Sequence, residues 1–378
     1  MMKFFRKIRQ KMMTKKKSSK YLFYPTRKTN YALLFLLCFF TLTSSLGQSS
    51  SLFDDNNEIL TLNLRGDLKT VFKDRGNDPK YHMVNLQYNT DQNTINIPIK
   101  IKSRGNFRKM KSNCKYPPLL LNFKKSSILK KSIFKGQDKI KLVTPCGGEK
   151  YVVREYLVYK LNNLITPMSF KARLVKINFQ DTVNNKSSEP LYGFLIEDEK
   201  KMAKRNQSKI MKKIGQRPER VQKEHFLKMA VFQYMIGNTD WSVQYQQNIK
   251  LIVNDSKSLT TAIPYDFDHA GIVGAPYAYP APELQLSSTK QRRYRGYCNP
   301  KMNQFTSTIE SFNKLKGNFY KLYEDNPLLS NRYKKQTLKF LDQFYKTIND
   351  PKKVRKAFSY PCNKSGTGNI VIKGLKKN

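Results

Sequence analysis

The stretch from Ile236 to Gly271 limits what this chain can fold into more than any other part of it. It reads Ile-Gly-Asn-Thr-Asp-Trp-Ser-Val-Gln-Tyr-Gln-Gln-Asn, then a strand-like run, then Ile-Pro-Tyr-Asp-Phe-Asp-His-Ala-Gly. Asp240 and the pair Asp266/Asp268 flank a short apolar segment, with Asn248 between them. The chain has 71 basic and 27 acidic residues, so acidic groups gathered at two loops stand out. Each alone has an ordinary structural reading: Asn-Thr-Asp serves as a turn or helix end, and Asp-Phe-Asp opens a loop after a strand. Together, in this order, they match the needs of phosphoryl transfer. One carboxylate orients the attacking hydroxyl, while an amide and a second carboxylate hold magnesium against the phosphates. Asp240 is then the candidate base, and Asn248, Asp266 and Asp268 are the candidate metal ligands.

The flanking sequence delivers these loops in a regular way. Arg220 to Gly237 carries Val221, His225, Met229, Phe232 and Ile236 near one face and reads as a helix that ends at Asn238. Ile249–Val253 and Leu259–Ile263 read as a hairpin around Asn254-Asp255-Ser256-Lys257, leading to Asp266. Upstream, residues 58–64, 81–88, 94–101, 119–123 and 139–143 alternate or run apolar as strands do, so residues 58–145 read as β-rich and antiparallel. Leu68–Gly76 reads as a polar turn region. From Glu149 the period changes: Val152, Val153, Tyr156, Leu157, Leu161 and Leu164 fall at helical steps up to Pro167. Strands at 172–179 and 191–197 follow, then an exposed basic segment at 200–217, and helices at 305–319 and 328–348. This order predicts an α+β, two-lobed, protein-kinase-like fold. Residues 58–198 form a β-rich N-lobe with one helix, and residues 199–362 a helical C-lobe carrying the catalytic hairpin. Residues 363–378 are a flexible tail.

Residues 1–30 hold eleven basic residues and no acidic one, and the apolar run Ala32 to Leu42 follows. That run is shorter than the ~20 residues of a spanning helix. It fits a signal peptide over residues 1–47, cut near Gly47/Gln48, with an uncleaved anchor as the competing reading. After cleavage no transmembrane span is expected, and the formal charge falls from +44 to +33. Such a surface attracts polyanions, including an anionic cell-surface polymer, although a Lys-rich composition alone names no ligand. No zinc-finger spacing or aromatic-Gly motif points to specific nucleic-acid binding. Four cysteines remain, Cys114, Cys146, Cys298 and Cys362, an even number that suggests disulfides in an exported chain. Of three pairings, Cys114–Cys146 with Cys298–Cys362 keeps each bridge within its own half.

Further short stretches carry a resemblance. Arg104-Gly105-Asn106, Lys115-Tyr116-Pro117-Pro118, Arg154-Glu155-Tyr156-Leu157-Val158-Tyr159 and Tyr192-Gly193-Phe194-Leu195-Ile196-Glu197 precede Gly237-Asn238-Thr239-Asp240-Trp241, Gln247-Asn248 and Ile263-Pro264-Tyr265-Asp266-Phe267-Asp268. In this order, over roughly residues 95–275, the chain resembles the CotH-like family of atypical secreted protein kinases. The resemblance implies a kinase-like fold, ATP with Mg²⁺ or Mn²⁺, and transfer to Ser/Thr hydroxyls of an acidic or hydroxyl-rich protein. It assigns the base to Asp240 and the metal to Asn248 and Asp266. Lys115 is its best candidate for the phosphate-contacting lysine, with Glu155 as its partner. Arg104 lies at a turn whose backbone N–H groups can approach phosphate, and Glu197 lies near the adenine side. Ser242–Gln246 lengthens the family's Asp-to-Asn loop and is expected to put the position of Asn248 at risk. The alternative reading is a degenerate kinase fold working as a polyanion-binding or cell-surface interaction module. The basic stretch Lys290–Arg295 is placed where a substrate-gripping segment would lie. His269, beside the metal aspartate, has no paired histidine and reads as structural.

Overall fold

Alternation sets the architecture of the first half. In β1 (Leu60–Gly66) Leu62 and Leu64 are buried between exposed neighbours. The same pattern buries Val84, Leu86 and Tyr88 of β2 (His82–Asn89) and Ile97, Ile99 and Ile101 of β3 (Thr94–Ser103). It continues in β4 (Leu119–Phe123) and β5 (Lys139–Val143). The computed structural model describes residues 52–53, 59–90, 93–124, 132–255 and 259–364. The expected signal peptide over residues 1–47 and nearly all of the expected tail lie outside the described residues.

Consecutive strands β1 to β5 pair antiparallel, and β5 continues through β8 (Leu191–Ile196) to β6 (Ala172–Asp181). The expectation of an antiparallel region is then corrected in one respect. β6 pairs with β1 in parallel, from Leu60 opposite Val175 to Gly66 opposite Asp181, and closes a seven-stranded barrel. A closed barrel is not the ordinary small lobe of a protein kinase. It has a physical reason: closure removes both sheet edges and encloses a core. Leu62, Leu64, Leu86, Ile97, Ile99, Leu121, Ile140, Val175, Ile177 and Leu195 fill the inside. Burying each such side chain is worth about 1.5–3 kcal/mol. Gly193 is required there, because a Cβ at that position would lie 2.8 Å from the Val143 backbone carbonyl oxygen and would also meet Ile177 Cδ1. A two-residue strand, β7 (Lys186–Ser187), extends β6.

The rest of the chain is mainly helical and has its own core. Helix α1 (Leu68–Lys73) belongs instead to the barrel core through Leu68 and Val71; it replaces the expected turn and is capped by Asp67, whose Oδ1 accepts from Thr70 N–H at 3.1 Å. α2 (Glu149–Ile165) packs against the barrel through β6 and β8. α3 (Glu199–Arg205) and β9 (Lys209–Met211) stand where an exposed basic segment was expected, because Asp198 caps the new helix through Lys200 and Lys201 N–H. α4 (Lys223–Ile236) is buried continuously from Met229 to Ile236 and forms the centre of this core. β10 (Ile249–Val253) lies between β11 (Thr261–Pro264) and β9 in a second, antiparallel sheet. α5 (Thr306–Glu324), α6 (Asn331–Ile348) and α7 (Pro351–Phe358) complete the helical part. α5 also packs against α2. Both expected disulfides are present, Cys114–Cys146 and Cys298–Cys362. Among the described residues, no helix is long and apolar enough to cross a membrane.

Candidate active site

Gly237 makes the turn into the first loop. Its φ of +69° lies in the left-handed region, which glycine adopts without Cβ strain, and it ends α4. Asn238 then donates through Nδ2 to Gln233 Oε1 at 3.0 Å and accepts from Asp240 N–H at 3.1 Å. Arg295 donates to the Thr239 carbonyl at 2.7 Å. Asp240 is therefore held from both sides at the tip of the loop. Burial pushes its carboxyl above the ordinary carboxylate range. Asp268 and Asp266 add to this, while His269 and a hydrogen bond with Gln247 oppose it.

The longer loop does not carry Asn248 away. Ser242 and Gln247 form an antiparallel bridge, with Ser242 N–H donating to the Gln247 carbonyl at 2.9 Å, so Val243 to Gln246 are folded out as a closed turn. Asn248 returns beside Asp240, donating through Nδ2 to its carbonyl at 2.8 Å and to Oδ2 at 3.0 Å. With the amide nitrogen so engaged, Oδ1 is the atom left for a cation. Asn248 and Asp266 are both non-glycine residues in the left-handed region, at φ +51° and +62°. Such conformations persist only where surrounding bonds enforce them. Those bonds are present: Tyr265 N–H donates to the Asn248 carbonyl at 3.1 Å, and Asp266 N–H donates to Tyr159 Oη of α2 at 2.9 Å.

Behind this pair lies an acidic cluster. Single carboxylate oxygens of Glu155, Asp266 and Asp268 all fall within 4.8 Å of one another. Arg108, from the connection between β3 and β4, reaches into it. Its Nη1 donates to Glu155 Oε2 at 2.9 Å and its Nη2 to Asp266 Oδ1 at 3.0 Å, while its Nε lies 3.3 Å from Asp268 Oδ2. Burial opposes the charge on Arg108, but Asp268, Glu155 and Asp266 outweigh it and hold the guanidinium well above its usual value. Burial likewise pushes the Glu155 carboxyl up, and the contact with Arg108 works against that rise.

The expected partnership of Lys115 with Glu155 is corrected by this geometry. Glu155 is taken by Arg108, and Lys115 is exposed with its ammonium 5.1 Å from the Tyr116 ring centroid. A different lysine faces the site. Lys141 sits on β5, the strand that precedes α2 and its Glu155. In protein kinases, a lysine on the strand before the corresponding helix contacts the phosphates. Its ammonium lies 4.9 Å from the Tyr265 ring centroid, and among the described residues it forms no ion pair. Burial, with Arg104 and Lys250 nearby, lowers it from the ordinary 10.5 to about 8. Arg104 thus lies close enough to act on Lys141; it is half-buried, and its backbone N–H donates to the Pro118 carbonyl at 2.9 Å. Glu197 is not brought to the site as a free side chain. Arg205 pairs with both of its oxygens, and Lys171 N–H donates to Oε2 at 3.0 Å, so the carboxylate fastens the last residue of α3 to the chain entering β6.

The stretch Lys290–Arg295 is also corrected. Arg292 stacks on Phe340 at 3.6 Å and donates to the Met235 carbonyl, and Arg293 stacks on Tyr360 at 4.1 Å. Arg295 holds the Asp240 loop, as described. These guanidinium groups brace the helical part and are not displayed for a partner.

Available to a cation are Asn248 Oδ1 and Asp266, whose side chain is 41% exposed and has only one oxygen on Arg108. An oxygen-only donor set of this kind fits Mg²⁺ or Mn²⁺. No family model matches the chain, and no curated protein does either. Among solved structures, the proinflammatory kinase CtkA of Helicobacter pylori aligns at 10% identity with a TM-score of 0.41, over 68% of this chain and 94% of that one. So distant a likeness carries no argument about this site, and the CotH-like resemblance rests on its motifs.

Proposed function

We propose that this chain is an ATP-dependent phosphotransferase with a protein-kinase-like arrangement of its site, exported and acting on Ser/Thr hydroxyls of an acidic or hydroxyl-rich protein. One observation carries the reading: Asn248 is hydrogen-bonded to Asp240, and the next loop is tied to Asn248 so that Asp266 follows one residue later. Base, amide ligand and carboxylate ligand are thereby held on two adjacent loops, as phosphoryl transfer requires. Asn248 and Asp266 would hold the divalent ion, which neutralises phosphate charge when bound. Lys141 and Arg104 supply fixed positive charge for the remaining phosphate oxygens. Asp240 orients the substrate hydroxyl and takes its proton as the new O–P bond forms and the phosphoanhydride bond breaks, leaving ADP. Burial raises its carboxyl, the direction that strengthens it as a base. The two disulfides are compatible with export.

The experiment is label transfer from ATP with Mn²⁺, alongside nucleotide binding. Asp240→Asn should bind nucleotide nearly as wild type and lose at least ~10²-fold in transfer. Asp266→Ala should lose metal-dependent binding and transfer together. If wild type neither binds nucleotide nor transfers phosphate while Asp240→Asn folds normally, the reading fails. A second reading, a polyanion-binding or cell-surface interaction module, is favoured by the formal charge of +44 over the whole chain. It predicts salt-sensitive binding that nucleotide does not alter.

A further inference from the structure

Three carboxylates within 4.8 Å would ordinarily attract a divalent ion. Here a guanidinium stands among them. Its fork spans both oxygens of Glu155, at 2.9 and 3.4 Å, and reaches Asp266 at 3.0 Å and Asp268 at 3.3 Å. An ammonium, with three N–H donors, could not make all four of these contacts at once. Arg108 is 8% exposed and Glu155 2%. Displacing Arg108 would leave a buried cation without its partners, which is strongly unfavourable. The loop that carries it is also held. Phe107 packs on Tyr277 at 5.2 Å, and Cys114 N–H donates to the Met110 carbonyl at 3.1 Å. The Cys114–Cys146 disulfide then fastens the loop to the segment that starts α2.

We propose that Arg108 is a resident counter-cation that keeps a divalent ion out of the Glu155–Asp266–Asp268 cluster. The protein therefore works with one metal ion, where protein kinases hold two. The single-ion count rests on the function proposed above; the exclusion from the cluster does not. Arg108 acts as a positioning residue. It offsets part of the cluster's negative charge, occupies Glu155, and so leaves Lys141 for phosphate.

The test counts bound Mn²⁺ per chain by electron paramagnetic resonance and calorimetry, without nucleotide and with a non-hydrolysable ATP analogue. Arg108→Gln should bind one more ion than wild type in both arms, and Arg108→Gln combined with Asp268→Asn should lose it again. Wild type should bind one ion with the analogue. An unchanged count in a folded Arg108→Gln overturns the proposal, and so does a second ion in wild type. If Arg108→Gln does not fold, wild type is compared with Glu155→Gln without nucleotide. Equal counts support the proposal, and an ion that Glu155→Gln removes overturns it. A wild type that takes no ion with the analogue tells against the kinase reading instead, while the nucleotide-free arm still decides the role of Arg108.

Discussion

Lys141 and Lys115 offer the sharpest test of the proposed site, because only one of the two, Lys141, lies against Tyr265 beside Asp266. Lys141→Met keeps the aliphatic length and removes the charge. An ammonium–phosphate hydrogen bond contributes about 1.5–3 kcal/mol, so nucleotide affinity should fall roughly 10- to 150-fold. Lys115→Met removes only an exposed ammonium near Tyr116 and should leave affinity unchanged. A pH dependence should accompany this. Burial lowers the Lys141 ammonium from 10.5 to about 8, so the charge destabilises the folded state below about pH 8. Between about 8 and 10.5 the unfolded chain binds more protons than the folded one, and wild-type stability rises relative to Lys141→Met. Bound phosphate favours the protonated form, so nucleotide affinity should decline above pH 8 by up to about tenfold per unit. That decline should be absent in Lys141→Met. The assay is titration of a fluorescent nucleotide with Mn²⁺ at pH 7 and pH 9.5, with thermal melts of each free protein. Unchanged affinity in Lys141→Met, or a loss seen only in Lys115→Met, refutes the assignment.

Three further outcomes follow from the same geometry. Since burial raises the Asp240 carboxyl, the acidic limb of the rate–pH profile should lie above the ordinary aspartate value and vanish in Asp240→Asn; a limb below that value would count against Asp240 as the base. Arg295→Ala should slow transfer by freeing the Thr239–Asp240 loop while leaving the salt dependence of partner binding unchanged; comparing turnover with binding across a salt series checks this. Replacing Cys114 and Cys146 together by Ser should lower stability by roughly 3–4 kcal/mol in the chain-entropy model, read from urea unfolding.

The readable parts were those whose periodicity or spacing acts locally. Alternation located β2 and β3, and the three- and four-residue steps located α2 and α4. The cysteines paired as their placement in separate halves implied. Caps at Asp67, Asp198 and the Asp350-Pro351 step are also local signals, and they mark three short helices that apolar periodicity alone does not reveal. What local sequence does not contain is pairing across distance. Nothing in Leu60–Gly66 distinguishes a strand that lies parallel to residues 175–181 from one that ends a sheet. Lys115 and Lys141 both lie in lysine-rich stretches, Lys115 in the bend before β4 and Lys141 within β5, and the position of β5 ahead of α2 is what singles out Lys141. Arg108 lies in a basic turn, Phe107–Lys109, and its importance comes from partners 47 and 158 residues away.

Closure of the barrel also orders events during folding. β1 has an antiparallel neighbour soon available in β2, but its parallel partner is more than a hundred residues further along the chain. Until β6 has been made, β1 presents one free edge and an apolar face. Pairings of this length close slowly, because loop entropy is lost before the contacts form. A ribosome-bound chain ending before Ala172 should therefore expose an adhesive strand, and one extended past Ile196 should not. Protease resistance of residues 60–66 should appear abruptly between those two lengths.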